Sequence, residues 1–304
     1  MRLASLLRTP PPVHAFAVDE DELLYGRLSR RRDALMRVEV SALGAGWFHL
    51  GPVGLLQVER QILDAGLASV LGRLERAPDR ASLVVPNSWV RSVLVEVGSL
   101  PHQREEAEEV LRWRLKKLLP CRPDEVRLDF RAGVRAGRVL VLLALDRPLA
   151  RVEEAFAEKG IEIGRIEPAV LALSALLPPS SEPAVLATLE ARALAIAVLA
   201  KGKTLLVRHK ALPADARRAE VFVVRELART LAHAREQEKL GDRVELWLTS
   251  ASDEQREALQ RWAEGEGGVE VRWLAMGAGR VPQLPGVASV RLWSLLATAS
   301  EGAA

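Results

Sequence analysis

The sequence is poor in cysteine, asparagine and aromatic residues. Among its 304 residues, Cys121 is the only cysteine, Asn87 is the only asparagine, and aromatic side chains make up 4%. A single cysteine excludes an internal disulfide framework and a cysteine-rich zinc site, so the chain fits a reducing compartment. The formal charge of +3 is small for this length. Arginines and lysines are nearly balanced by acidic residues, which argues against a dedicated nucleic-acid-binding protein with a basic stripe and interleaved aromatics.

A long uncharged apolar run is also missing. The longest apolar stretch, residues 184–200, includes Glu190 and Arg192. A membrane-spanning helix needs roughly 20 predominantly apolar residues without such charges. We therefore expect no direct membrane insertion.

Motifs for catalysis or metal binding are absent as well. The chain contains no Walker A, GxSxG or HExxH pattern, and its histidines have no metal-ligand spacing. The acidic run at 105–109 is interpreted as the solvated first turn of a helix, and Cys121 as a packed thiol. We predict no catalytic residue, no metal site and no cofactor.

The predicted elements occur in the same order in two stretches of the chain. Each stretch contains three consecutive strands, a long helix with apolar residues at helical spacing, and a further strand. These lie at 14–19, 23–29, 34–43, 55–76 and 81–86 in the first stretch, and at 184–190, 193–202, 204–212, 216–239 and 244–249 in the second. The repeated order indicates a duplicated α/β domain.

A distinct α+β block lies between the two stretches. Its predicted elements are a strand at 89–97, a helix at 103–119, a hairpin at 125–146, a helix at 148–159, a strand at 161–167 and a helix at 168–177. In the helix at 103–119, acidic residues come early and basic residues come late, which suits the helix dipole.

The segment LKKLLPCRPDEVRLDF (115–130) resembles PilM proteins, in which a helix ends at a proline turn and a Leu-Asp-aromatic strand follows. The matching residues are Leu119, Pro120, Glu125, Val126, Leu128, Asp129 and Phe130. Segments 160–177, 225–237 and 289–299 resemble further parts of the same family, so the resemblance covers nearly the whole chain.

The resemblance implies an α/β, actin-like fold of two related halves with an α+β insert subdomain of the FtsA/PilM type. The implied division is an extended N-terminal arm at 1–12, a first half at 13–88 and 166–181, the insert at 89–165, and a second half at 182–304. The second half has a reduced outer subdomain, because only ten residues, 209–218, connect its third strand to its long helix.

The three nucleotide-binding loops depart from the family pattern. Glycine in a phosphate loop lets backbone N–H groups approach the phosphates, and here acidic residues or serine stand in its place. The degenerate positions are Asp19, Glu20 and Asp21 in the first loop, Thr188 and Glu190 in the second, and Ser250 and Ser252 in the third. We therefore predict a pseudo-ATPase, with a weak ATP-binding ATPase as the alternative.

The partner implied by the resemblance is a PilN-like inner-membrane protein, whose short cytoplasmic N-terminal peptide PilM proteins bind in type IV pilus assembly. This chain would be cytoplasmic and peripheral to the inner membrane through that partner. A second alternative is the GspL-like cytoplasmic component of type II secretion. The start of the chain, MRLASLLRTPPP, resembles the N-terminus of PilN proteins. It is either a disordered arm or a segment that occupies the peptide groove.

Overall fold

The computed structural model describes residues 11–132, 137–178, 180, 182–189, 193–249, 253–274, 280–282, 284 and 289–298. The strands are β1 (His14–Val18), β2 (Glu22–Leu28), β3 (Leu35–Ala42), β4 (Phe48–Gly51), β5 (Gly54–Val58), β6 (Arg80–Val85), β7 (Arg91–Glu96), β8 (Val126–Ala132), β9 (Arg138–Leu145), β10 (Glu162–Pro168), β11 (Ala184–Leu189), β12 (Ala193–Ala200), β13 (Lys203–Ala211), β14 (Val244–Leu248) and β15 (Val269–Trp273). The helices are α1 (Arg60–Leu71), α2 (Arg104–Leu115), α3 (Asp146–Ala157), α4 (Ala169–Ser174), α5 (Ala216–Glu238), α6 (Asp253–Glu266) and α7 (Ser289–Ala297). The proposed arm falls mostly on residues 1–10, which lie outside the described residues.

Two five-stranded sheets have the same topology. In the first, β3, β2 and β1 are antiparallel neighbours, and β6 and β10 continue the sheet in parallel beside β1. In the second, β13, β12 and β11 take the antiparallel positions, and β14 and β15 take the parallel ones. The prediction of two related halves is therefore confirmed.

The insert is a smaller layer of sheet and helix. Its strands pair in the order β7, β9, β8, and buried Leu111 and Leu115 of α2 pack against them. The predicted insert ran to residue 165, but α3 and β10 pack elsewhere. Phe156 of α3 lies in the core of the first half, with its ring centroid 5.0 Å from that of Phe16, and β10 pairs with β6. This packing puts the end of the insert near residue 145.

The helix predicted at 55–76 begins later than expected. Residues 54–58 form β5, which pairs with β4 as a separate two-stranded hairpin, and α1 starts at Arg60. The apolar spacing of Leu55 and Val58 fits a helix and a strand equally well over so few residues, and the cross-strand pairing decides.

Helix α7 is buried between the two halves. Its Leu292, Leu295 and Leu296 pack with the first sheet, whereas Trp293 packs with the cluster formed by the second sheet, α4 and the insert. Gly26 of β2 makes this approach possible, because a Cβ there would lie 3.3 Å from Leu295 Cδ1. The two halves therefore share one apolar helix at their junction.

The β4–β5 hairpin connects the first half to the insert through Gly54. Gly54 bridges to Val90 just before β7, and its φ is +120°, a conformation that favours glycine. A Cβ on Gly54 would lie 2.1 Å from the carbonyl oxygen of Trp89. Val53, in the same turn, is buried in the insert core. The hairpin can keep this contact only with glycine at position 54.

We expect Gly54→Ala to lower the free energy of unfolding by about 2 kcal/mol or more, because it combines an unfavourable φ with a backbone clash. Urea denaturation checks this. Gly98→Ala is the matched control, since a Cβ on Gly98 meets nothing within 4 Å and its effect should stay below about 1 kcal/mol. Equal losses in the two variants would contradict this account of the junction.

Candidate functional site

The first candidate loop is a short turn, residues 19–22, between β1 and β2; we call it the acidic turn. Val18 and Leu23 form the last strand pair, and the Asp19 N–H donates to the carbonyl oxygen of Glu22 at 2.9 Å. The Glu20 N–H donates at 2.7 Å to Asp19 Oδ1. Two backbone donors that a phosphate loop would offer to a ligand are therefore used inside the turn.

Arg291 of α7 binds three carboxylates of the acidic turn. Its Nε lies 2.6 Å from Asp19 Oδ2, and its Nη1 lies 3.3 Å from Asp21 Oδ1 and also contacts Glu22. Arg291, Asp19 and Glu22 are each about one quarter exposed or less. An arginine of the same chain therefore occupies the acidic face of the turn and neutralises part of its charge.

Burial and the ion pairs act in opposite directions on Asp19. Burial raises the pKa of Asp19 above its ordinary value, and the nearby Arg291 counteracts only part of that effect. For Arg291, burial acts to lower the guanidinium pKa, but the carboxylates of Asp19, Glu22 and Asp21 outweigh it and the pKa is raised. The carboxylate of Asp19 is therefore tolerated in the folded protein largely because Arg291 stands beside it.

An aromatic cluster links the acidic turn to the insert. The Trp47 indole N–H donates to the carbonyl oxygen of Asp19 at 2.7 Å. Trp47 also packs edge-on against Trp89, with 5.5 Å between ring centroids, and Phe48 contacts both rings. Trp47 and Trp89 are fully buried. The turn, the β4–β5 hairpin and the start of the insert are thus one packed unit.

The other two candidate loops are described only at their first residues. Thr188 is buried near the end of β11, and its hydroxyl donates to the carbonyl oxygen of Ala195 at 3.4 Å. Thr249, which follows β14, is buried, and its N–H donates to the carbonyl oxygen of Ala187. The predicted positions Glu190, Ser250 and Ser252 lie outside the described residues. The structure thus places Thr188 and Thr249 at the ends of adjacent parallel strands.

The described residues offer little chemistry at this site beyond charge. No group of three or more histidine, cysteine, aspartate or glutamate side chains among them could hold a metal ion. Glu167 is buried near the end of β10, where burial raises its pKa, and Arg165 pairs with it at 2.7 Å. Thr298, just after α7, lies 3.4 Å from the Glu167 carboxylate. These contacts hold the end of the first sheet against α7.

Sequence reasoning missed Arg291. The segment SVRLWSLLATA carries one charge in an otherwise apolar helix, and a lone charge of this kind indicates a buried or half-buried ion pair. The sequence thus indicates that Arg291 forms an ion pair, but it does not identify the partners, because they lie about 270 residues earlier in the chain. Only the packing of α7 on β1 and β2 brings them together.

We expect Arg291→Ala to lower the free energy of unfolding by about 1–3 kcal/mol, because it leaves half-buried carboxylates without their partner. The loss should be larger at pH 7 than at pH 4. A raised pKa of Asp19 makes stability fall as pH rises from the ordinary value of 3.8 to the folded value, and removing Arg291 raises the folded value further. Urea denaturation at both pH values measures this.

Two controls accompany that measurement. Arg217→Ala removes an exposed arginine from the second half and should change stability by about 0.5 kcal/mol or less. Adding Asp19→Asn to Arg291→Ala should recover part of the loss at pH 7 and little at pH 4. An equal loss at both pH values, with no recovery by Asp19→Asn, would be inconsistent with the proposed role of the ion pair.

Neither protein-family models nor curated protein sequences give a match to this chain. Solved structures do. A PilM–PilN type IV pilus biogenesis complex matches with a TM-score of 0.72 at 18% identity, over 97% of this chain and 98% of that chain. The cytoplasmic domain of EpsL, an inner-membrane component of the type II secretion system of Vibrio cholerae, matches with a TM-score of 0.53 at 14% identity, over 95% of each chain.

At these identities the comparisons establish the fold. The match to the PilM–PilN complex extends over nearly the whole of both chains, so the two halves and the insert are all included. No helix among the described residues is both long and apolar enough to cross a membrane. The chain therefore has the predicted actin-like fold, with two related halves and an α+β insert, and is similar in fold to PilM.

Proposed function

We propose that this protein is a non-catalytic adaptor of type IV pilus assembly that binds the cytoplasmic N-terminal segment of a PilN-like inner-membrane protein. The observation that carries the proposal is the closure of the acidic turn by Arg291 in a chain with the actin-like fold. The position that cradles phosphates in actin-like ATPases holds internal ion pairs here. The protein would be cytoplasmic and would reach the membrane through this partner.

Electrostatics support the absence of nucleotide binding. A triphosphate at the acidic turn would meet the carboxylates of Asp19, Glu20 and Asp21. One like-charge pair at about 4 Å costs roughly 4 kcal/mol at an effective dielectric of 20. Arg291 offsets part of this repulsion, but its guanidinium is already engaged by three carboxylates, and a phosphate would have to displace them. We therefore favour a pseudo-ATPase over a weak ATPase as the function of this protein.

The solved PilM–PilN complex supports the choice of partner, since its fold is shared over nearly the whole chain. Helix α4, where the chain returns to the first half, offers little surface to a peptide. No residue of α4 is exposed, and Val170, Ala172 and Leu173 are buried between the halves. We therefore place the peptide site on the β4–β5 hairpin.

The β4–β5 hairpin has the surface that a short apolar peptide needs. Leu50 and Leu56 are about half exposed there, although they lie on the element that joins the first half to the insert. The insert carries a second exposed apolar pair, Trp113 on α2 and Leu118 just beyond it. We favour the hairpin because a groove between the first half and the insert must include the element that connects them.

A second candidate is the cytoplasmic component of a type II secretion system. The similarity in fold to the EpsL cytoplasmic domain supports this candidate. Its TM-score of 0.53 is lower than the 0.72 of the PilM–PilN complex, so we place it second. Both candidates are non-catalytic adaptors in our proposal, and the peptide that binds distinguishes them.

Magnesium ATP at millimolar concentration should leave the thermal stability of the protein unchanged. A ligand at a hundredfold excess over its Kd would stabilise the folded state by about 2.7 kcal/mol, which a thermal melt detects easily. Magnesium chloride alone is the control. A saturable rise in melting temperature with ATP would contradict the pseudo-ATPase proposal and favour the ATPase alternative.

The N-terminal peptide of a PilN-like protein from the same genome should bind the full-length protein in a calorimetric titration. Leu50→Ser with Leu56→Ser should weaken binding about tenfold or more, because exposed apolar anchors are lost. Trp113→Ser with Leu118→Ser is the matched control and should leave the affinity unchanged.

The reverse result would move the site to α2 and contradict the hairpin assignment. If the PilN-like peptide fails to bind while the cytoplasmic segment of a type II secretion partner does bind, the second candidate is correct. Binding of neither peptide by the folded protein would contradict the adaptor proposal.

A further inference from the structure

Charge is strongly segregated along the first two strands. The acidic turn lies at one end of β2, and an arginine-rich turn, which we define as residues 27–37, lies at the other. Residues 27–37 contain five arginines and one aspartate, a net charge of +4, whereas the whole chain carries +3. Seven residues of β2 separate the two turns by about 20 Å. The arginine-rich turn is therefore a local concentration of positive charge on a nearly neutral protein.

Three of these arginines have no ion-pair partner among the residues that the structure describes. Arg27, Arg30 and Arg31 are all exposed. Arg27 stands directly opposite Arg37 across the β2–β3 ladder, an arrangement of like charges that costs stability. Arg37 does have a partner, Glu39, at 2.9 Å. The unpaired arginines leave positive charge available to an external anion.

The one acidic residue of this turn, Asp33, interacts with Arg31 but offsets only part of the charge of the five arginines. The Asp33 carboxylate accepts a hydrogen bond at 2.6 Å from the Ser29 hydroxyl, and this bond is the main reason that the pKa of Asp33 is lowered. Arg280 adds further positive charge nearby, since its Nε donates to the backbone carbonyl of Asp33 at 2.8 Å.

Apolar groups accompany the positive charge. Met36 is 62% exposed at the start of β3, directly beside the turn. Pro11, the first residue that the structure describes, also lies here, and its carbonyl oxygen accepts a hydrogen bond from Arg32 Nη2 at 2.9 Å. An exposed apolar side chain therefore stands beside the unpaired arginines.

We propose that the arginine-rich turn docks the protein onto an anionic phospholipid surface. Unpaired arginines bind lipid phosphates, and Met36 reaches the interfacial region of the bilayer. A membrane surface fits better than nucleic acid, because residues 27–37 contain no aromatic side chain on which a base could stack. It also fits better than an acidic peptide, because exposed Met36 supplies an apolar contact beside the charge. This contact is independent of the peptide site proposed above.

Vesicle cosedimentation of the full-length protein tests the docking. We expect binding to phosphatidylcholine vesicles with about 30% phosphatidylglycerol, little binding to pure phosphatidylcholine, and release at about 0.5 M salt. Each arginine near an anionic surface raises the partition coefficient roughly fivefold. The triple variant Arg27→Gln, Arg30→Gln, Arg31→Gln should therefore lower partitioning by about a hundredfold.

A matched variant removes the same charge elsewhere. Arg217, Arg218 and Arg243 are also exposed and have no ion-pair partner among the described residues, but they lie in the second half. Changing all three to glutamine should reduce partitioning far less than the triple variant of the turn. Met36→Ser should lower it several-fold with no change of charge. Thermal melts establish that all variants are folded.

Several outcomes would overturn the proposal. Equal losses in the two triple variants would show a general charge effect rather than docking through this turn. If Met36→Ser bound the vesicles as tightly as the wild-type protein, the proposed contact of Met36 with the bilayer interface would be wrong. The wild-type protein could also fail to bind anionic vesicles and instead bind duplex DNA or an acidic polypeptide through the same three arginines. That result would assign the turn to another class of partner.

Discussion

One arginine, Arg291, offsets part of the charge of the acidic turn and joins the first sheet to α7. Without Arg291, the carboxylates at the end of β1 would be half-buried and would repel one another, and α7 would lose its only charged contact with that turn among the described residues. The apolar side chains of α7 then pack against both halves. The ion-pair cluster and the apolar side chains of α7 therefore act together where this helix joins the two halves.

This arrangement gives the protein a way to hold an actin-like fold together without a ligand. In our proposal, Arg291 provides positive charge to the carboxylates of the acidic turn, at the position where an actin-like ATPase would bind a nucleotide and its cation. The buried rings of Trp47 and Trp89 extend the same packed unit to the insert, and Gly54 fixes the hairpin against it. In our proposal, this packed junction supports the surface that the adaptor presents to its partner.

The two ends of the first sheet have opposite charge for different reasons. Three of the four carboxylates of the acidic turn pair with Arg291 of α7, so they act in the packing of this helix on the first sheet. In the arginine-rich turn, Arg27, Arg30 and Arg31 face solvent and have no ion-pair partner among the described residues. The net charge of the chain hides both features, because the −4 of the acidic turn and the +4 of the arginine-rich turn cancel.

The sequence by itself determined the two repeated sets of strands and the long helix predicted at 216–239, because periodic apolar residues are local signals; the helix observed is Ala216–Glu238. It also determined which residues stand at the first loop, since Asp19 follows β1 directly. Tertiary structure alone decided that α3 and β10 belong with the first sheet, that residues 54–58 form a strand, and that Arg291 meets Asp19. Those choices depend on contacts between residues far apart in the chain, and local periodicity carries no information about which distant surface a helix or a charge will face.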